Sequence, residues 1–210
     1  MYKKGLLIAL EGIDGAGKSL LAQNLYKDLS KKNIDVLLTK QPGGTHLGKK
    51  LRKILHEKKE HVSDLAEFLL FAADRAQHFE QIIIPALKEG KIIISDRLSD
   101  SSLAYQGYGR NLDKEKIKVV NNWIMQNKEP DIIFYIEIDT KTAHQRIFER
   151  NQNLTSFEKE KAEFWEKTIY GYNQIFKDKN NVFYLDGKKT PEQIKQEALN
   201  IIFDKLNKNK

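Results

Sequence analysis

Eight residues near the start of the chain, Gly12-Ile13-Asp14-Gly15-Ala16-Gly17-Lys18-Ser19, restrict its fold more than any other segment. They match G-x-x-x-x-G-K-[ST], follow at once on the apolar run Leu6 to Leu10, and open a helical pattern in which Leu21, Leu25 and Leu29 recur before Lys31. Glycines let such a turn curl until several backbone N–H groups face one anion, and the dipole of the following helix adds partial positive charge. All eight residues are therefore candidates for holding a nucleotide phosphate chain. Lys18 is expected to reach its outer phosphates, and the Ser19 hydroxyl to ligate magnesium, a hard cation that takes oxygen donors and keeps several waters.

Further apolar runs at Val36 to Leu38, Ile92 to Ile94, Ile132 to Ile138 and Val182 to Leu185 are rich in the β-branched residues that suit buried strands. Helical patterns lie between them. Leu65 to Leu87 carries Phe68, Leu69, Ala72, Ala76, Phe79 and Ile83 on one stripe, and Thr190-Pro191-Glu192-Gln193 places a cap, a proline at the first helical position and a glutamine where a last helix begins. Alternation of this kind predicts right-handed crossovers and a three-layer α/β/α fold of the P-loop NTPase type, with a five-stranded parallel sheet and helices on both faces. The polar stretch Asn151 to Ser156 reads as a mobile loop between two helical patterns.

A chain of 210 residues suits one domain, residues 1–210. No stretch approaches the roughly 18 apolar residues a spanning helix needs. Only Gly5 to Leu10 separates the basic start from Glu11, too short for a secretory core, so a soluble cytoplasmic protein with no membrane partner is expected. The absence of cysteine excludes disulfides and thiolate metal sites. Thirty-six basic against 29 acidic residues leave +7, which fits nucleic-acid binding or attraction of phosphorylated small molecules. Much of the excess lies in lysine-rich helices and the tail Lys205 to Lys210, and no nucleic-acid-binding signature accompanies it, so no nucleic-acid partner is expected.

The phosphate loop alone does not separate a kinase from a GTPase or a motor ATPase. Asn127-Lys128-Glu129-Pro130-Asp131 misplaces the aspartate of a guanine reader and precedes its strand, which favours adenine or a loosely read base. Two segments carry chemistry of their own. Phe71 and Arg75 are a helical turn apart, where a ring can stack on a base while a guanidinium donates to a base carbonyl. Asp96 and Arg97 follow Ile92 to Ile94, at the carboxyl end of a strand where open α/β sheets place their ligands.

Together with Lys40-Gln41-Pro42-Gly43-Gly44-Thr45, Leu69 to Arg75, Asp96-Arg97 and Ser101 to Gly107 with Arg110, the loop makes the chain resemble the bacterial-type thymidylate kinase family along nearly its whole length. That resemblance implies transfer of a phosphoryl group from ATP to dTMP, giving dTDP for dTTP synthesis, with magnesium, in a homodimer formed through helices. It implies that Arg97 clamps the dTMP phosphate and that Asp96 organises magnesium and the acceptor phosphate. Arg52 would bind that phosphate, Asp14 the sugar 3′-hydroxyl, and Pro42 the acceptor pocket. Tyr105 would stack near the deoxyribose, with Ser102 and Gln106 at the thymine edge. Enzymes of the family without an arginine inside the phosphate loop supply one from a lid, here about residues 146–158, so Arg146 and Arg150 join Lys18, Arg97 and Asp96 as catalytic candidates.

The chain departs from the family pattern in four places. Gln41 stands where a glutamate is usual, Leu98 where an aromatic or histidine follows Asp-Arg, and Leu20 where a threonine often follows the loop serine. In the lid segment Leu154 to Glu158, Ser156 takes the place of an arginine.

Overall fold

The structure, a computed structural model, describes residues 5–57, 61–150 and 153–208. Met1 to Lys4, Asn151, Gln152, Asn209 and Lys210, named above, lie outside them. Strands β1 (Leu6–Glu11), β2 (Val36–Lys40), β3 (Ile92–Asp96), β4 (Ile132–Glu137) and β5 (Val182–Asp186) form one sheet in the order β2-β3-β1-β4-β5. Every pairing is parallel. All six residues of β1 are buried, although successive side chains point to opposite faces, so both faces of the sheet are covered there. This is why β1 reads as an unbroken apolar run rather than an alternation.

The helices are α1 (Lys18–Lys31), α2 (His46–Glu57), α3 (Asp64–His78), α4 (Ile84–Lys88), α5 (Ser99–Ser102), α6 (Lys114–Ile124), α7 (Thr140–Glu149), α8 (Ala162–Phe176) and α9 (Pro191–Lys208). One hydrophobic cluster joins β1, β3 and β4 to α1, α8 and α9, and a smaller one joins α3 to α6 through Phe68, Ala72, Leu103 and Ile117.

The stripe predicted over Leu65 to Leu87 is split by a π-helical turn, Phe79–Ile83. Pro85, in the first turn of α4, lacks an N–H, and its ring would clash with the carbonyl four residues back in a regular helix; the wider turn avoids that. A second π-helical turn, Leu103–Gly109, continues α5 and carries Tyr105 and Gln106, both buried. Sequence periodicity marks neither turn, because an added residue per turn leaves no polar gap.

From β1 the chain crosses to β2 on one flank, and from β3 it crosses to β4 on the other. The crevice of such a sheet opens at the carboxyl ends of the strands beside this reversal. Register puts Leu10 opposite Asp96, so the phosphate loop after β1 and the Asp96-Arg97 pair after β3 leave the sheet at the same level.

Candidate active site

Backbone conformation decides the phosphate loop. Gly12 has φ 138° and Gly17, which caps α1, has φ 97°, both values that side chains disfavour. At Gly12 the space is closed as well, since a Cβ would lie 2.6 Å from the Ile136 carbonyl oxygen. Ile13 and Ala16 are buried in the core, so only their main chains can serve a ligand. The Lys18 ammonium donates to the Ile13 carbonyl at 2.7 Å. Burial, with the Arg97 charge as a second cause, lowers its pKa to about 8. Ser19 Oγ donates to Asp96 Oδ2 at 2.5 Å, joining the loop to the end of β3.

Arg97 is the hub of the site. Its φ of 72° lies in the left-handed region, a conformation that persists in a non-glycine residue only when its surroundings over-determine it. Three bonds do so. Its N–H donates to Leu10 O, its carbonyl accepts from Ser95 Oγ at 2.7 Å, and the next N–H, of Leu98, donates to Glu11 Oε1 at 2.8 Å. The guanidinium donates through Nη2 to Asp14 Oδ1 at 2.7 Å and to the Tyr105 hydroxyl at 3.0 Å, and through Nη1 to Gly12 O and Ser101 Oγ, both at 3.0 Å. Burial alone would raise the Asp14 carboxyl, but Arg97 and then Lys18 outweigh it and hold the group well below the usual carboxylate range.

Beneath this hub lies Glu11, fully buried, which no sequence motif singled out. It accepts from Ser101 Oγ at 2.5 Å and the Tyr172 hydroxyl at 3.0 Å. Burial, then the charge of Asp100, raise its pKa. A lone acid ending an apolar run was the available signal.

The other wall is made of side chains. Phe71 and Arg75 both line the cleft, as do Pro42, Arg52, Tyr105, Ser102 and Gln106. Arg52 Nη1 donates to Pro42 O at 2.9 Å. Gln106 Nε2 donates to Glu67 at 2.9 Å, and Ser102 Oγ accepts from Arg75 Nη2 at 2.8 Å, so both are committed to neighbours as well as to the cleft. Asn121 of α6 also accepts from Arg75, at 2.7 Å, a contact across 46 residues that no local pattern announces.

Arg146, Arg150, Phe157 and Glu158 close the side of the same cleft, whose volume is about 570 Å³. Arg146 Nη2 donates to Gly187 O at 2.8 Å, and Arg150 Nη2 to both Glu158 carboxylate oxygens, at 2.8 and 3.0 Å. Ser156 is bonded to the end of α2: its hydroxyl donates to Leu55 O at 2.6 Å and its N–H to His56 O at 3.1 Å. Phe157 thereby lies against His56, Phe71 and Tyr105, with ring centroids 5.8 to 6.0 Å away. The structure thus brings every predicted side chain to one cleft, except Ile13 and Ala16.

An all-parallel sheet with a phosphate loop at its reversal, facing a cationic wall and an aromatic wall across one cleft, defines a P-loop phosphotransferase of the nucleotide kinase type. The thymidylate kinase family model matches residues 10–198. The chain is 41% identical over 196 residues to the thymidylate kinase of Halothermothrix orenii, covering 92% of this chain and 94% of that one. It is 43% identical over 185 residues to that of Prochlorococcus marinus, covering 84% and 86%. The crystal structure of thymidylate kinase from Ehrlichia chaffeensis superposes with a TM-score of 0.79 at 31% identity, covering 94% of this chain and 98% of that one. The chain belongs to the thymidylate kinase family.

Proposed function

We propose that the protein phosphorylates dTMP to dTDP with ATP and magnesium. The observation that carries this is the continuity of one cleft from the anion-binding loop at Lys18 to the Phe71 and Arg75 pair. A new P–O bond forms between the dTMP phosphate and the γ-phosphorus of ATP, and the bond from that phosphorus to the β-phosphate oxygen breaks. Such transfers ask little covalent chemistry of a protein; they ask that two anions be aligned and the spreading charge be neutralised. Lys18 serves the donor, Arg97 and Arg52 the acceptor phosphate, and Arg146 and Arg150 the flank. No side chain is assigned as general base, because the attacking oxygen is already a phosphate anion.

Ser19 and Asp96 fit magnesium, since the hydroxyl and the carboxylate are hard oxygen donors and meet at the start of α1. The ion would neutralise charge on the phosphates. Phe71 provides the stacking face for the base, Arg75 a donor for its carbonyl, Asp14 an acceptor for the sugar hydroxyl, and Tyr105 bulk beside the sugar.

A single domain with a lid near residues 146–158 and a cytoplasmic location complete the reading. No helix among the described residues is long and apolar enough to cross a membrane. A homodimer through α3 and α6 is supported by Leu65, Leu69, Val119 and Trp123, which are exposed on these neighbouring helices, Trp123 to 80%. Release of ADP with dTMP, dUMP, dCMP, dGMP and AMP in turn tests the assignment. Turnover is expected to be highest with dTMP, and clear preference for another acceptor overturns it.

A further inference from the structure

Arg75 is 2% exposed, yet among the described residues no carboxylate hydrogen-bonds to it; Asp74, Glu11 and Asp100 act on it only through charge at longer range. Its acceptors are all neutral: Gln41 Oε1 from Nε at 3.1 Å, Asn121 Oδ1 from Nη1, and Leu98 O and Ser102 Oγ from Nη2. At Gln41, where the family usually has an acid, a guanidinium N–H that can only donate dictates which amide atom faces it. The oxygen must face Arg75, so Gln41 Nε2 donates in the other direction.

Its partner there is Nδ1 of His78, at 2.8 Å. That nitrogen can only be an acceptor, so His78 is neutral with its proton on Nε2, which donates to Thr39 Oγ1 at 2.6 Å. Gln41 and His78 are both buried, and the ring is wedged against the turn: a Cβ at Gly44 would lie 2.6 Å from Nε2. A proton on Nδ1 would set N–H against N–H, or rotate the amide and leave Arg75 Nε facing a donor. Burial and the Arg75 charge act the same way, lowering the His78 pKa to about 4.

We infer that His78 is a positioning residue for recognition of the acceptor base: through its unprotonated Nδ1 it fixes the amide of Gln41, and Gln41 fixes the guanidinium of Arg75 in the pocket. This rests on the reading of Arg75 as a ligand of the thymine ring. The neutral relay does the work that an acid at position 41 would do by ion pairing, so the departure from the family pattern at Gln41 is matched by the tautomer of His78.

Two substitutions separate the two ring nitrogens. His78→Asn keeps an acceptor near Nδ1 and loses the Thr39 bond; His78→Gln keeps a group near Nε2 and loses the acceptor for Gln41. With folding checked by thermal melting, His78→Gln should raise KM for dTMP roughly tenfold, the cost of one buried unmatched donor, while KM for ATP stays within about twofold. His78→Asn should leave KM for dTMP within about threefold of wild type. Equal effects of the two variants on KM for dTMP, or none, overturn the relay. Arg75→Ala is measured beside them: if it leaves KM for dTMP unchanged, the reading of the acceptor pocket falls and the relay with it. If it raises KM while the two His78 variants behave alike, only the relay falls. Ring-nitrogen NMR of the wild-type protein gives a second measurement that needs no variant. A proton on Nε2 is expected at neutral pH, and one on Nδ1 overturns the proposal.

Discussion

The two walls of the cleft are built in opposite ways. The proposed donor side is eight consecutive residues that would act on the triphosphate through backbone N–H groups, a helix end, the Lys18 ammonium and the Ser19 hydroxyl. The proposed acceptor side draws Gln41, Arg52, Phe71, Arg75, Arg97, Ser102 and Asn121 from six separate segments, and its side chains hold one another in place. A backbone trap depends on glycine conformation and tolerates its neighbours. A side-chain wall depends on partners far away in sequence, so its chemistry can shift through residues that touch no ligand.

The largest effect should come from Lys18, the cation of the proposed donor loop. Lys18→Ala should lower kcat roughly 10³-fold, comparable to loss of a key transition-state donor, with little change in melting temperature. Near-normal ADP release would break the comparison by making the donor side backbone alone. On the acceptor wall, Phe71→Ala should raise KM for dTMP by about 10 to 100-fold, the worth of one stacked base, and leave KM for ATP unchanged. If ATP binding weakened instead, the two walls would have to be exchanged.

Changing pH should sharpen the contrast. The Lys18 pKa is lowered to about 8 by burial and Arg97, so in the free protein its charge is lost as pH rises through that value. KM for ATP should rise above about pH 8, by at most about tenfold per pH unit for one proton, before that for dTMP does. The stability change has the opposite sign. Between about 8 and the ordinary lysine value of 10.5 the unfolded chain binds more protons than the folded one, so this group's contribution to unfolding free energy grows with pH. Denaturant midpoints across that window check it; a contribution that fell would contradict the burial of Lys18.

The smallest effect concerns the lid. Ser156→Ala removes the bond to Leu55 O, worth about 1 kcal/mol, and should speed exchange of the Ser156 amide about fivefold. No change in exchange would mean that the backbone bond to His56 holds the segment alone.

Local chemistry made the donor side readable from residue order. Strand, glycine turn, lysine and helix are adjacent in the chain, and the function proposed for them follows from φ angles and dipoles. Apolar runs located all five strands for the same reason, since burial on both faces writes itself into each run. Phe71, Arg75, Asp96 and Arg97 were legible as candidates because helical spacing and strand ends are short-range rules. Glu11, His78 and Asn121 were not, because their partners lie 37 to 161 residues away.

The chain's residue order thus determined a parallel α/β sheet, its anion-binding turn and the side chains able to face a nucleotide. Tertiary structure alone decided that Arg97 is held in a left-handed conformation above a buried glutamate, and that Arg75 is braced by neutral groups. The reason is physical: hydrogen-bond polarity and the cost of burying charge are settled by whichever groups packing brings within about 3 Å, and pattern along the chain does not encode those distances.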